Sequence, residues 1–122
     1  MSAQKNQPFV HRVRFALAGL AAAWRSEPSF RLQSVALASA LVVLLMVRPE
    51  PIWWAMVALS SAVVMAAELL NTALEEMADH LHPHQHPRIR VVKDCAAAAV
   101  FVASCGAVAV AIALLWHLLT RG

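Results

Sequence analysis

The stretch AELLNTALEEMADHL places Glu68, Asn71, Thr72, Glu75 and Asp79 three or four residues apart or adjacent. On a helix these side chains fall within a sector of roughly 100°, while Glu76 points farther round. The run before them, Ala55 to Ala67, carries no charge at all. A carboxylate set into an apolar helix is costly, and chemistry is the main reason to keep one there. It can take a proton from a hydroxyl or join oxygen ligands around a hard cation such as Mg²⁺. Lys93 and Asp94 follow a short polar segment, and Glu27 lies upstream. A lysine beside carboxylates suits the neutralisation of phosphate oxygens.

The elements that must position these groups are apolar. Of 122 residues, 61% are hydrophobic and only 14% are charged, against roughly 25% in a soluble domain. The length suits one domain, residues 1–122, and the composition is that of a membrane protein. No secretory signal is apparent, because Lys5, Arg12, Arg14, Arg25 and Arg31 interrupt the first part of the chain before any long apolar run. The net charge of +3 is gathered before residue 32 and between Arg88 and Lys93. That distribution fits membrane topology and not nucleic-acid binding, which wants a continuous basic face. Cys95 and Cys105 read as small packing residues and not as a disulfide pair.

Four helical segments follow. Phe9 to Arg25 forms an amphipathic surface helix, with Phe9, Val13, Leu17, Leu20 and Trp24 on one stripe and His11, Arg14 and Arg25 opposite. Spans are predicted over about 30–47, 52–74 and 95–117. Arg48-Pro49-Glu50-Pro51 is a tight turn, and about His80 to Arg90 is a loop rich in His and Pro. Trp53 and Trp54 are interface anchors. The lysine and arginine distribution puts the N-terminus and the second loop on the cytoplasmic side.

Helix rise then sets depth. Glu68 lies roughly 24 Å along a span that begins at Ile52, just inside the cytoplasmic edge of a hydrocarbon layer about 30 Å thick. Glu27, Lys93 and Asp94 reach the same layer from the other two spans. An ionisable group at membrane depth is by default a functional candidate. A lipid hydroxyl sits near that level, and a dissolved nucleotide can approach it. Structural roles compete residue by residue. Asp94 is a candidate helix cap, Glu27 before Pro28 a helix-start residue, Asp79 and Glu76 helix-end charges, and Glu68 with Asn71 an inter-subunit clamp. His80, His82, His84 and His86 raise a metal question, but Pro83 and Pro87 break the helical spacing of a zinc pair. Neither GxxxxGK[ST] nor GxGxxG occurs, so phosphoryl transfer here would rest on carboxylate-held Mg²⁺ and a lysine.

AELLNTALEEMAD together with VVKDCAAAAV resembles the prokaryotic diacylglycerol kinase family, small integral-membrane lipid kinases that include undecaprenol kinases. FALAGLAAAWRSEPSFR resembles the surface helix and first-span entrance of that family, and HPHQHP its cytoplasmic loop. The resemblance runs from about Phe9 to the C-terminus. It implies an all-α membrane protein with three transmembrane helices and a surface helix, assembled as a homotrimer with sites shared between subunits. It implies ATP-dependent phosphorylation of diacylglycerol to phosphatidic acid, or of undecaprenol, at the cytoplasmic face of a bacterial inner membrane. Carried onto this sequence, Glu68 is the general base and Asn71 orients the site. Glu27 and Glu75 hold Mg²⁺ on the ATP phosphates, and Lys93 and Asp94 meet the nucleotide. Phe15, His84, Gln85 and His86 complete the ATP site. Arg12, Trp24, Ser29, Phe30 and Arg31 line the lipid entrance with Glu68. Phe15 stands where some relatives carry Tyr, and Gln33 where some carry a carboxylate. The rivals from other classes are a metal-binding membrane protein that uses the His loop and a structural subunit without chemistry.

Overall fold

The computed structural model describes residues 8–121, and every regular element among them is helical. Helix α1 spans Phe9–Ser26, α2 Pro28–Val47, α3 Pro51–Leu81 and α4 Pro87–Thr120. Helices α2, α3 and α4 are each long and apolar enough to cross a membrane.

Prolines punctuate this architecture. Pro28, Pro51 and Pro87 each open a helix, where the missing N–H has no intrahelical partner to lose. The residue before a proline is pushed out of the helical region. Glu27, Glu50 and His86 accordingly take ψ values of 105°, 152° and 135°. The α2 C-terminus closes on Arg48, which is left-handed at φ 51°, ψ 59° and returns its amide to the Leu44 carbonyl at 2.8 Å. Glycine is the usual residue at such a cap.

At about 1.5 Å per residue, α3 and α4 are about 46 and 51 Å long, well beyond a hydrocarbon layer of about 30 Å. Their linked ends therefore project past the apolar layer as a helical pair. The loop expected from about His80 to Arg90 shrinks to the residues between Leu81 and Pro87. His80 is helical in α3, and Arg88, Ile89 and Arg90 are helical in α4. Asp94 is consequently no helix cap. His86 is, with its Nδ1 accepting the Arg88 amide at 3.1 Å. The apolar period alone hid this, because the extra turns are polar and border the prolines.

Helix α3 is the axis of the packing. Its most extensive contact is with α4, it also meets α2, and α1 touches both α2 and α3. At one end Leu44 of α2, Val57 of α3 and Leu114 of α4 form a buried cluster flanked by Ala40, Trp53, Trp54, Val110 and Leu118. At the other end Ala23, Phe30, Glu68, Ala78 and Ala96 are buried. The less exposed positions of α4 include Lys93, Ala96, Val100, Ala103, Ala107, Val110 and Leu114. Their spacing of three and four makes one face, and its small residues allow the backbones of α3 and α4 to approach. Elsewhere large apolar side chains point outward, among them Met46, Leu59, Phe101 and Trp116. This is the surface of a protein that meets lipid or other apolar helices.

Candidate active site

Glu68 is the buried charged residue among the described residues, at 7% exposure. Its neighbours come from two directions. Glu75 lies two turns on along α3, and Glu27 sits in the corner between α1 and α2. Both carboxylates are close enough to act electrostatically on Glu68. Like charges repel at such range, so the cluster favours a bound cation.

The corner that delivers Glu27 is firmly tied. The Glu27 amide donates to the Ala23 carbonyl at 2.8 Å, and the Glu27 carbonyl accepts the Arg31 amide at 3.2 Å. Arg31 reaches back along the turn, and its Nη1 donates to the carbonyls of Trp24 at 2.8 Å and Arg25 at 3.1 Å. A cation on the last carbonyls of a helix satisfies acceptors that otherwise lack partners and complements the helix dipole. Glu27 is the N-cap residue of α2, yet its side chain makes no capping bond. The carboxylate is thereby left to the acidic cluster.

Asn71, one turn from Glu68, donates its Nδ2 to Glu75 Oε1 at 3.4 Å. Its Oδ1 is buried with no hydrogen-bond partner. An unpaired buried carbonyl oxygen is costly, and one beside carboxylates is what a hard cation or a hydroxyl donor would use. This donor set, all oxygen, fits Mg²⁺. Among the described residues no three His, Cys, Asp or Glu side chains converge to hold a metal by themselves. Glu27 and Glu75 would therefore supply only part of the octahedron, with phosphate oxygens and water supplying the rest.

Beyond Glu75, where α3 and α4 project together, lies a cleft of about 690 Å³. Glu75 and Asp79 line it from α3, His84, Gln85 and His86 from the loop and helix start, and Arg90, Lys93 and Asp94 from α4. Lys93 Nζ donates to Asp79 Oδ1 across the two helices, and Arg90 Nε lies 3.6 Å from Asp94 Oδ1. Six of the residues expected at a nucleotide, Glu75, His84, Gln85, His86, Lys93 and Asp94, thus share one cleft. Phe15 and Glu27 do not line it. Phe15 is exposed on α1, and Glu27 stands with Glu68.

Of the residues expected at a lipid entrance, Trp24, Ser29, Phe30 and Arg31 gather at the α1–α2 corner, while Arg12 lies near the other end of α1. Trp24 is exposed, as are Arg12 and Ser29. Phe30 is buried at 4% exposure, so it supports the corner from beneath, and Arg31 is committed to the α1 carbonyls. Asp79 and Arg90 were absent from the expected set. Asp79 shares the helical face of Glu75, one turn on, and that spacing pointed to it. The loop expected from His80 to Arg90 conceals the place of Arg90 on the same helical face as Lys93.

The family model for prokaryotic diacylglycerol kinase matches residues 14–115. The chain is 37% identical over 98 residues to a diacylglycerol kinase of Synechocystis sp., an alignment covering 80% of this chain and 56% of that protein. The chain thus spans just over half the length of that relative. It is 35% identical to the diacylglycerol kinase of Escherichia coli K12 over 98 residues, 80% of either chain. It is also 33% identical over 94 residues to an undecaprenol kinase of Bacillus subtilis, covering 77% of this chain and 73% of that one.

Proposed function

From the premise that this chain belongs to the prokaryotic diacylglycerol kinase family, we propose that it phosphorylates diacylglycerol with ATP, giving phosphatidic acid. The observation that carries this reading is the buried Glu68, with Glu27 and Glu75 acting on it and a cleft that joins Glu75 to Lys93. In this reading a lipid hydroxyl enters beside Glu68, and a nucleotide lies in the cleft between α3 and α4.

The hydroxyl oxygen attacks the terminal phosphorus in line. The bond from that phosphorus to the bridging oxygen breaks, ADP leaves, and Glu68 takes the hydroxyl proton. Asn71 holds Glu75 in register through its Nδ2 and keeps an oxygen turned into the site. Lys93, released from Asp79, meets phosphate oxygens, with Asp94 and the His84–Gln85–His86 segment beside the nucleotide. Glu27 and Glu75 would hold Mg²⁺, which when bound neutralises phosphate charge. Arg12, Trp24, Ser29 and Arg31 line the lipid side over the buried Phe30.

The reading further places the protein in a bacterial inner membrane, with its N-terminus and the His loop cytoplasmic and α1 lying amphipathically on the surface. Three copies assemble so that neighbours complete each site. Apolar side chains left outward on all three long helices support assembly or lipid contact. The undecaprenol kinase relative supports a second substrate reading, since both lipids offer a primary hydroxyl on an apolar body. Purified protein given ATP and Mg²⁺ with each lipid in turn tests both. Phosphatidic acid formation supports the first reading, selective transfer to undecaprenol replaces it with the second, and no transfer to either lipid rejects both.

A further inference from the structure

We propose that Arg90 is a second phosphate-binding cation of the α3–α4 cleft, engaging the polyphosphate tail of the nucleotide beside Lys93; this rests on the kinase reading above. Arg90 and Lys93 are three residues apart on α4, so they share a helical face, and both line the cleft. The same walls carry three carboxylates, Glu75, Asp79 and Asp94. A polyanion entering with Lys93 as the sole strong cation would meet more like charge than opposite charge. Lys93 is also engaged by Asp79 across the helix pair. Arg90 lessens this imbalance, and it is the more accessible of the two cations, its side chain 75% exposed against 35% for Lys93.

Its present contact is easily exchanged. Arg90 meets Asp94 through Nε at 3.6 Å, with both side chains exposed, and such surface pairs contribute little. The terminal nitrogens remain available to grip two phosphate oxygens at once, the geometry that distinguishes arginine from lysine. Asp94 then acts as a rest position that keeps the guanidinium over the cleft. Arg88 supplies the contrast. It lies on the same helix with the same charge, but it does not line the cleft.

The test is ATP titration of the full-length protein in mixed micelles holding diacylglycerol and Mg²⁺. Arg90→Gln is expected to raise the KM for ATP about two- to fivefold, as loss of one solvent-accessible charged contact does, with kcat changed less than about 1.5-fold. Arg90→Lys should retain part of the affinity, and Arg88→Gln should behave as the wild type. An unchanged KM in Arg90→Gln overturns the proposal. So does an equal rise in Arg88→Gln, which would show a diffuse field in place of a contact. Arg90 is on the surface, so each variant is expected to melt with the wild type. Absence of lipid phosphorylation in the wild type would instead remove the kinase reading itself, and this inference with it.

Discussion

Replacing Glu68 by Gln separates catalysis from architecture more cleanly than any other change in this chain. The two side chains have nearly the same shape, so the packing of α3 against its neighbours is preserved. The substitution removes a buried charge that Glu27 and Glu75 repel. Burying an unpaired carboxylate is costly, and an amide is cheaper to bury. The variant should therefore melt at or above the wild-type temperature. Its chemistry should collapse, because an amide cannot accept the hydroxyl proton. Loss of a positioned general base typically costs about 10²- to 10⁴-fold in rate, which is roughly 3–5 kcal/mol in the barrier. The assay is transfer of labelled phosphate from ATP to diacylglycerol in mixed micelles, with thermal unfolding of the same preparation alongside. If Glu68→Gln keeps more than about a tenth of the wild-type kcat, the base is elsewhere. If it loses activity and fold together, the residue is structural, a clamp between copies.

Three further outcomes follow from the geometry. Leu44, at 1% exposure in the three-helix cluster, should cost about 2–5 kcal/mol on truncation to Ala, read from reversible denaturation in detergent, while the folded fraction keeps its KM for ATP. Arg31→Gln removes two bonds to the end of α1 and should cost about 1–2 kcal/mol. Limited proteolysis should then cut the α1–α2 corner sooner than in the wild type. Arg48 adopts a left-handed conformation at φ 51°, so Arg48→Gly should raise stability by about 0.5 kcal/mol or leave it unchanged. A loss of more than about 1 kcal/mol would show that the Arg48 side chain matters more than its backbone.

Much of this molecule was legible without coordinates because its signals are local. Uncharged runs bracketed by charge mark three spans, and Pro28 and Pro51 mark where two of the helices start. The spacing of Glu68, Asn71 and Glu75 reports a shared face as soon as a helix is assumed. The resemblance to a family led to the same residues from another side. Less legible was the stretch from His80 to Arg90. Its proline and histidine content suggests loop throughout, yet helical hydrogen bonding resumes directly after Pro87. Local composition cannot report that, because the added turns are held against the end of α3 by contacts such as Lys93 with Asp79.

The sequence by itself determined the apolar character, the helical class, the number of long helices and the presence of a carboxylate where no solvating reason exists for one. Those properties depend on neighbours a few residues apart. Tertiary structure decided which charges meet. It brought Glu27 from the corner between α1 and α2 towards Glu68, left the Asn71 Oδ1 without a partner, and set Arg90 and Lys93 along one cleft with Asp79 and Asp94. Electrostatic pairing falls off over a few ångströms, so it is fixed only when helices distant in the chain settle their crossing and depth.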